Sequence, residues 1–396
     1  MAGYSGSSRY RSPLAKVGLI GGGQLGLMLG EAAAAMDVAI HILDPAEEPP
    51  ALRVAVRHVR GELGDPSAIA ELARGCDVIS YEIERGDPGT LRRLGIPVEP
   101  APATLEIIQD KLVQRRHLAR GSVPMPRFAA LENACSGNGT DLQTIAGQLR
   151  TFGFPLVQKA RRGGYDGRGV MVHRREPEDG GIPDGPIPWD DGSYIEAAIE
   201  IVHELAVIVA RSTTGETAVY DPVEMHFDDT LNLVDAVIYP AGVSAEVAGR
   251  AREVALDAVA LLPGAGVFAV ELFVDSEGTV LVNEIAPRPH NSGHITIEAA
   301  ETSQYEQHIR GILGLPLGDT SFRSAGVMRN ILGGPVSGPT VYTGIAGALA
   351  VPDVHLHLYG KRESRPGRKM GHLTATGADA WERAEIAWRR IGVNGC

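Results

Sequence analysis

A chain of 396 residues is too long for one compact core; at about 100–200 residues per domain, two or three domains are expected. Hydrophobic residues at 44% and charged residues at 22% describe an ordinary globular protein and exclude wholesale disorder. With 49 acidic against 37 basic residues the net charge is −12, which disfavours a general binder of nucleic acid or anionic membrane but leaves room for a local pocket for a small anion. The three cysteines, Cys76, Cys135 and Cys396, are odd in number and lack any CxxC, so they offer neither a disulfide framework nor a zinc signature and fit a reducing cytoplasm. The longest apolar stretch, 258–270, is broken by Pro263, Gly264 and Gly266 and falls short of the roughly 20 residues of a membrane span. Residues 1–14 read as a loose tail without the apolar core of a secretory signal.

In chain order, a buried strand over 16–20 leads into Gly21-Gly22-Gly23-Gln24-Leu25-Gly26 and an apolar helix over 27–36. A strand over 38–43, a helix over 69–74 and a strand over 77–81 complete a βαβαβ alternation, which predicts a parallel, doubly wound sheet. Pro97, Pro100 and Pro102 mark the exit, and Thr104 opens a helical pattern through His117. The middle of the chain shows strands over 154–157, 193–195, 204–210 and 235–239, a Pro-, Gly- and Asp-rich loop over 176–189 and a helix over 245–262. A hairpin of 267–274 with 279–285 turns at Asp275-Ser276-Glu277-Gly278. Gly333-Gly334-Pro335 and Gly338-Pro339 punctuate a boundary near 320–340, beyond which come a strand over 354–359 and a basic run over 361–369.

Four segments carry chemistry. The glycine turn, with Asp44 at the end of the second strand, matches a dinucleotide fingerprint, but glycines there also serve packing or the approach of another phosphorylated ligand. Lys159 precedes the glycine-rich run Gly163-Gly164-Tyr165-Asp166-Gly167-Arg168-Gly169, whose amides suit a polyphosphate; the alternative is a solvated charged hairpin. Glu271 and Glu284 lie in the two strands of the hairpin. If Val274 pairs with Thr279, Glu271 faces Val282 and Glu284 is its diagonal neighbour on the same face, about 7–8 Å away at Cα. Such a pair either shares a divalent cation, with Asn283 adding a neutral oxygen, or is neutralised by Arg or Lys. Arg288, His290 and Asn291 follow on a proline-stiffened segment. The fourth segment, Lys361 to His372, gathers five cations around Pro366-Gly367 and is either an anion site or a solvated turn.

Together these residues resemble the ATP-grasp enzymes, and among them the 5-(carboxyamino)imidazole ribonucleotide synthases, ATP-dependent carboxylases of purine biosynthesis. The resemblance spans about 17–376. It rests on the glycine turn, Asp77-Val78-Ile79-Ser80-Tyr81-Glu82, Gln109-Asp110-Lys111, the glycine-rich run, the 283–294 segment and Arg365-Pro366-Gly367-Arg368-Lys369 with Gly371-His372, all in one order. It implies an α/β ATP-grasp fold: a doubly wound pre-ATP-grasp domain over 15–115, an ATP-grasp domain over 116–318 with a lid at about 150–200, and a small C-terminal domain over 319–396. By the same resemblance Lys111 and Lys159 contact ATP phosphates beneath a lid of Gly164, Tyr165, Asp166, Gly167, Arg168 and Gly169. Glu196 and Ile199 hold adenine at the hinge, Glu204 binds ribose, and His226 lies near the nucleotide. Glu271 and Glu284 hold Mg2+, with Mn2+ as a substitute, and Asn283 stands beside them. Gln24, Leu25, Glu82, Asn291, Lys361, Arg368 and Lys369 take the aminoimidazole ribonucleotide, and Asp166, Arg288 and His290 form the catalytic set. A cytoplasmic homodimer is implied. The chain departs from the family at the hinge, Glu196-Ala197-Ala198-Ile199, and at Ile295, where an aromatic is usual. The rivals are a formate-dependent glycinamide ribonucleotide transformylase, an NAD-dependent oxidoreductase and a silent ATP-binding protein; Gln24 and Asn291-Ser292 favour the carboxylase over the first.

Overall fold

The computed structural model describes residues 12–131, 142–163, 169–176, 192–228 and 233–394. The expected parallel sheet is present, with strands in the order Arg57–Arg60, Val38–Asp44, Ala15–Ile20, Val78–Tyr81. The side chains of Ala15–Ile20 alternate between two cores. Val17 and Leu19 pack with the helix Gln24–Ala34, while Ile20 packs with Ile69 and Leu72 of the helix Pro66–Ala73, so the sheet is covered on both faces. Arg57–Arg60 escapes the hydrophobic pattern because Arg-His-Val-Arg offers one apolar side chain; only pairing with Val38–Asp44 makes it a strand. Residues 1–11 of the expected tail lie outside the described residues; the Leu14 amide donates to Asp37 O at 2.8 Å.

The single helix expected over 104–117 is two, Pro102–Ile108 and Lys111–Arg120. Asp110 causes the break. Its backbone is extended and its carboxylate accepts from the amides of Leu112 and Val113, which starts a new helix with Lys111 at the first position.

A four-stranded antiparallel sheet follows, in the order Phe128–Leu131, Ser193–Ala197, Leu156–Ala160, Val170–His173. The helix Leu142–Phe152 supplies Ile145, Leu149 and Phe152 to its core with Leu156 and Ile195. This small layer therefore recruits chain well upstream of residue 150.

The largest sheet is antiparallel, in the order Val280–Ala286, Gly266–Asp275, Ile201–Arg211, Val223–Asp228, Leu233–Tyr239, Gly326–Leu332, Lys369–Thr376, Val354–Leu358. The glycines and prolines near 320–340 do not interrupt it. Gly326–Leu332 pairs with Leu233–Tyr239 on one side and Lys369–Thr376 on the other, so the C-terminal strands extend the same sheet. The helix Ala245–Ala260 buries Val254, Ala255 and Ala258 against Leu205, Val207, Val209, Val270 and Leu272, each large apolar side chain contributing about 1.5–3 kcal/mol. Because strand side chains alternate, that packing sends Glu204, Glu271 and Phe273 to the opposite face. None of the described helices is long and apolar enough to cross a membrane.

Candidate active site

The hairpin that carries the two carboxylates closes one residue later than its sequence suggests. Asp275 Oδ1 accepts from the amides of Glu277 and Thr279, Val274 pairs with Val280, and an irregularity between Glu271 and Leu272 leaves Asn283 as an extra residue. This bulge shifts the register, so Glu271 stands directly opposite Glu284 instead of diagonal to it. Lys111 Nζ is in contact with Glu284 Oε2. Asn283 Nδ2 donates to Glu271 Oε2 at 3.2 Å, and His290 Nε2 lies 3.4 Å from Glu271 Oε1. Of the two alternatives for the pair, the structure shows neutralisation: the carboxylates face each other and a lysine sits on one of them. Burial followed by the charge of Glu284 pushes Glu271 above the usual carboxylate range. Burial acts on Glu284 in the same direction, but Lys111 overcomes it and holds this carboxylate below that range. Two facing carboxylates beside an amide are hard oxygen donors that fit Mg2+ or Mn2+. Among the described residues no third His, Cys, Asp or Glu joins them as a metal-binding cluster.

Behind this pair lies a buried ionic chain. Lys159 Nζ donates to Asn283 Oδ1 at 3.0 Å and lies 2.8 Å from Glu196 Oε2, whose other oxygen accepts from Arg115 Nε at 2.5 Å. Burial, more than its cationic neighbours, lowers the Lys159 pKa; Arg115 and Lys159 keep Glu196 low despite its own burial. The carboxylate of Glu196, expected at the adenine hinge, is engaged by Lys159 and Arg115. Asn283 likewise spends its oxygen on Lys159. Arg115 is a residue the sequence reading missed: an arginine on a helix reads as solvent-facing, and only its 1% accessibility gives it away. Glu204 lies on the same sheet face as Glu271, with its carboxyl pushed up to about 7 by burial. Ile199 follows the strand Ser193–Ala197 and is half-buried. Gly164, Tyr165, Asp166, Gly167 and Arg168 lie outside the described residues; Gly169 has φ +79°, and its carbonyl accepts from the amide of Ala160.

The segment after Glu284 is held from several sides. Arg288 Nε donates to Glu84 Oε1 at 2.7 Å, which ties it to the N-terminal unit. Gln304 clamps His290 by accepting from its amide at 2.9 Å and donating to its carbonyl at 2.7 Å. Asn291 exchanges amide hydrogen bonds with Asn330 at 2.9 and 2.8 Å, so its side chain is engaged within the protein. Glu84, Gln304 and Asn330 were not singled out by sequence, since each acts through a partner far along the chain.

At the other end, Glu82 Oε1 accepts from the amide of Gly23 and Oε2 from that of Gly26 at 2.8 Å, while Asp44 accepts from Gly22. The glycines are needed because a Cβ on Gly21, at φ +101°, would lie 2.5 Å from Glu82 Cγ. The turn spends its amides on two carboxylates, which removes the pyrophosphate cradle that an NAD reading requires. Gln24 opens the helix beside it, and Leu25 is buried in the core, so only its backbone is left for a ligand. Pro366-Gly367 forms the expected turn, with Arg368 N donating to Arg365 O and Gly367 at φ +72°. Arg368 Nη1 donates to Glu363 O and Lys361 Nζ to Lys369 O, both at 2.6 Å. Arg362 reaches back to Glu48, bringing this basic run to the N-terminal unit. His226 is a correction. Val223 and Met225 face inward with Ala206, so His226 turns to the other sheet face, where it lies 3.6 Å from Glu224 and 5.9 Å from the Trp381 ring, away from Glu204 and Glu271.

Family models match the ribonucleotide synthetase preATP-grasp domain over residues 14–109, the ATP-grasp domain over 116–305 and the phosphoribosylaminoimidazole carboxylase C-terminal domain over 326–386. The N5-carboxyaminoimidazole ribonucleotide synthase of Synechococcus elongatus is 38% identical over 383 residues, an alignment that covers 95% of this chain and 93% of that protein. The chain belongs to the N5-carboxyaminoimidazole ribonucleotide synthase family. In that family the crystal structure of the Thermotoga maritima synthetase superposes with a TM-score of 0.84 at 41% identity, covering 96% of this chain and 100% of that one. The Aspergillus clavatus synthase, solved with ADP and 5-aminoimidazole ribonucleotide, gives a TM-score of 0.82 at 34% identity over 94% of this chain and 96% of that one. The chain also matches the phosphoribosylaminoimidazole carboxylase of Vigna aconitifolia at 39% identity but spans only 64% of its length. The family accounts for the α/β architecture expected from sequence, a pre-ATP-grasp sheet followed by an ATP-grasp core and a C-terminal extension.

Proposed function

We propose that the chain catalyses the ATP-dependent carboxylation of 5-aminoimidazole ribonucleotide with bicarbonate, giving 5-(carboxyamino)imidazole ribonucleotide, ADP and phosphate. The observation that carries this reading is the hairpin where Glu271 faces Glu284, with Lys111 and Lys159 beside them and the 284–294 segment leading away. The family relationship and the ribonucleotide bound to the Aspergillus relative support it. Bicarbonate oxygen attacks the γ-phosphorus of ATP and ADP leaves; the ribonucleotide amine then attacks the carboxyl carbon of the carboxyphosphate and phosphate leaves. Lys111 and Lys159 place ammonium groups against the phosphates. Glu271 and Glu284 are the residues that would hold Mg2+, which supplies charge neutralisation for the phosphates when bound. Arg288 and His290 hold the labile carboxyphosphate by charge-assisted bonds, and Lys361, Arg368 and Lys369 hold the ribonucleotide phosphate. A homodimer in the cytoplasm belongs to the same proposal.

The test is ADP release by the purified chain. It should rise sharply when aminoimidazole ribonucleotide and bicarbonate are both present. Equal stimulation by glycinamide ribonucleotide with formate, or none by any pair, would refute the proposal.

A further inference from the structure

One of the two facing carboxylates already has a cation on it. Lys111 Nζ contacts Glu284 Oε2, and the backbone delivers it there. Asp110 caps the helix that Lys111 opens, Arg161 grips Asp110 through Nε and Nη2 at 2.6–3.2 Å, and the Lys111 amide donates to Arg161 O at 2.9 Å. The pair is not sealed: the side chains of Lys111 and Glu284 keep 24% and 38% of their accessibility, so an incoming ion can reach the carboxylate. On the opposite strand, Glu271 is met by the neutral amide of Asn283 and by His290.

We propose that Lys111 is the resident counter-ion of the divalent-cation site. Its ammonium occupies Glu284 while nucleotide is absent and moves to a phosphate oxygen when nucleotide and metal enter together. The proposal rests on Glu271 and Glu284 being the metal carboxylates. A dication and an ammonium on one carboxylate repel each other at this partly buried position, where like charges are less screened than in bulk water. Two protein carboxylates alone make a thin shell for Mg2+, which normally completes its coordination with substrate phosphates and water. An arriving polyphosphate supplies both missing parts, oxygens for the metal and a new anion for Lys111. Each charge then stays paired through the exchange, and metal binding is coupled to nucleotide binding.

The experiment measures Mn2+ binding to the full chain by electron paramagnetic resonance, with and without a non-hydrolysable ATP analogue and without ribonucleotide. Lys111→Met and Lys111→Gln remove the charge, and Lys111→Arg keeps it. Both neutral variants should bind Mn2+ in the absence of nucleotide at least about tenfold tighter than wild type, equivalent to about 1.4 kcal/mol. Lys111→Arg should stay near wild type, and the tightening of Mn2+ by the analogue should shrink in the neutral variants. Unchanged or weaker Mn2+ affinity in the neutral variants overturns the proposal. So does wild-type protein that binds Mn2+ equally tightly with and without the analogue, a result that needs no variant. Glu284→Gln separates the two layers: if Mn2+ binding with the analogue survives that change intact, the assignment of the metal carboxylates itself fails.

Discussion

The two ends of the proposed site keep their charges in different ways. At the hairpin end, charged groups are matched inside the protein: Lys111 with Glu284, Lys159 and Arg115 with Glu196, Arg161 with Asp110, Arg288 with Glu84. At the basic turn, Arg362 pairs with Glu48, while Arg368 donates to the main-chain carbonyl of Glu363, which satisfies a hydrogen bond but carries no full negative charge. Burial first, and then the neighbouring Arg365, lower the Arg368 pKa. The hairpin end is thus balanced before any ligand arrives, and its ion pairs are part of the fold. The basic turn carries Lys361, Arg368 and Lys369, the residues proposed to hold the ribonucleotide phosphate.

That contrast can be broken at either end. The largest effect is expected at Arg115, almost fully buried against Glu196. Arg115→Met strands a buried carboxylate on Lys159 alone, and stability should fall by about 3–5 kcal/mol. Urea unfolding reads this directly, and a midpoint near that of wild type would show that the ion chain is not structural.

The next effect tests the division of labour between the ends. Arg368→Ala should raise the KM for aminoimidazole ribonucleotide roughly tenfold to hundredfold, about 1.5–3 kcal/mol, while leaving the ATP KM and the unfolding midpoint in place. Lys159→Ala should raise the ATP KM first. An unchanged ribonucleotide KM in Arg368→Ala removes the basic turn from the site.

The smallest effect concerns Glu204. Burial raises its carboxyl to about 7, above its value in the unfolded chain, so the folded state binds this proton more tightly. Stability from this group is therefore present at acid pH and declines as pH rises toward 7. Glu204→Gln is neutral throughout, so its Tm relative to wild type should climb between pH 5 and pH 8. A difference that stays flat over that range would mean that the carboxyl is not desolvated as described.

Much of the architecture is legible in the chain. The βαβαβ alternation yields the parallel sheet, and the hairpin, the long helix Ala245–Ala260 and the Pro-Gly turn occur where the pattern puts them. The misses have separate physical causes. Arg57–Arg60 has no hydrophobic period, and the helix after Pro102 breaks because one aspartate side chain competes for backbone amides. His226 lies one residue from an inward-facing position, and in a strand one residue is the difference between faces.

What the sequence determined by itself is local: the glycine turn, the Asp110 cap before Lys111, the acidic turn of the hairpin and the bend at Gly367, each a matter of a few neighbouring dihedrals and side-chain caps. It also settled which residue types were available for the chemistry. Only the tertiary structure decided which charge meets which. Lys111 and Glu284 are 173 residues apart, Arg115 and Glu196 are 81 apart, and Arg288 and Glu84 are 204 apart. It also decided, through one bulged residue at Asn283, that Glu271 confronts Glu284 directly. The physical reason is range. A turn is set by steric limits within a few residues, whereas the partner of a buried charge is whatever the folded sheet and its packed helices bring within a few ångströms.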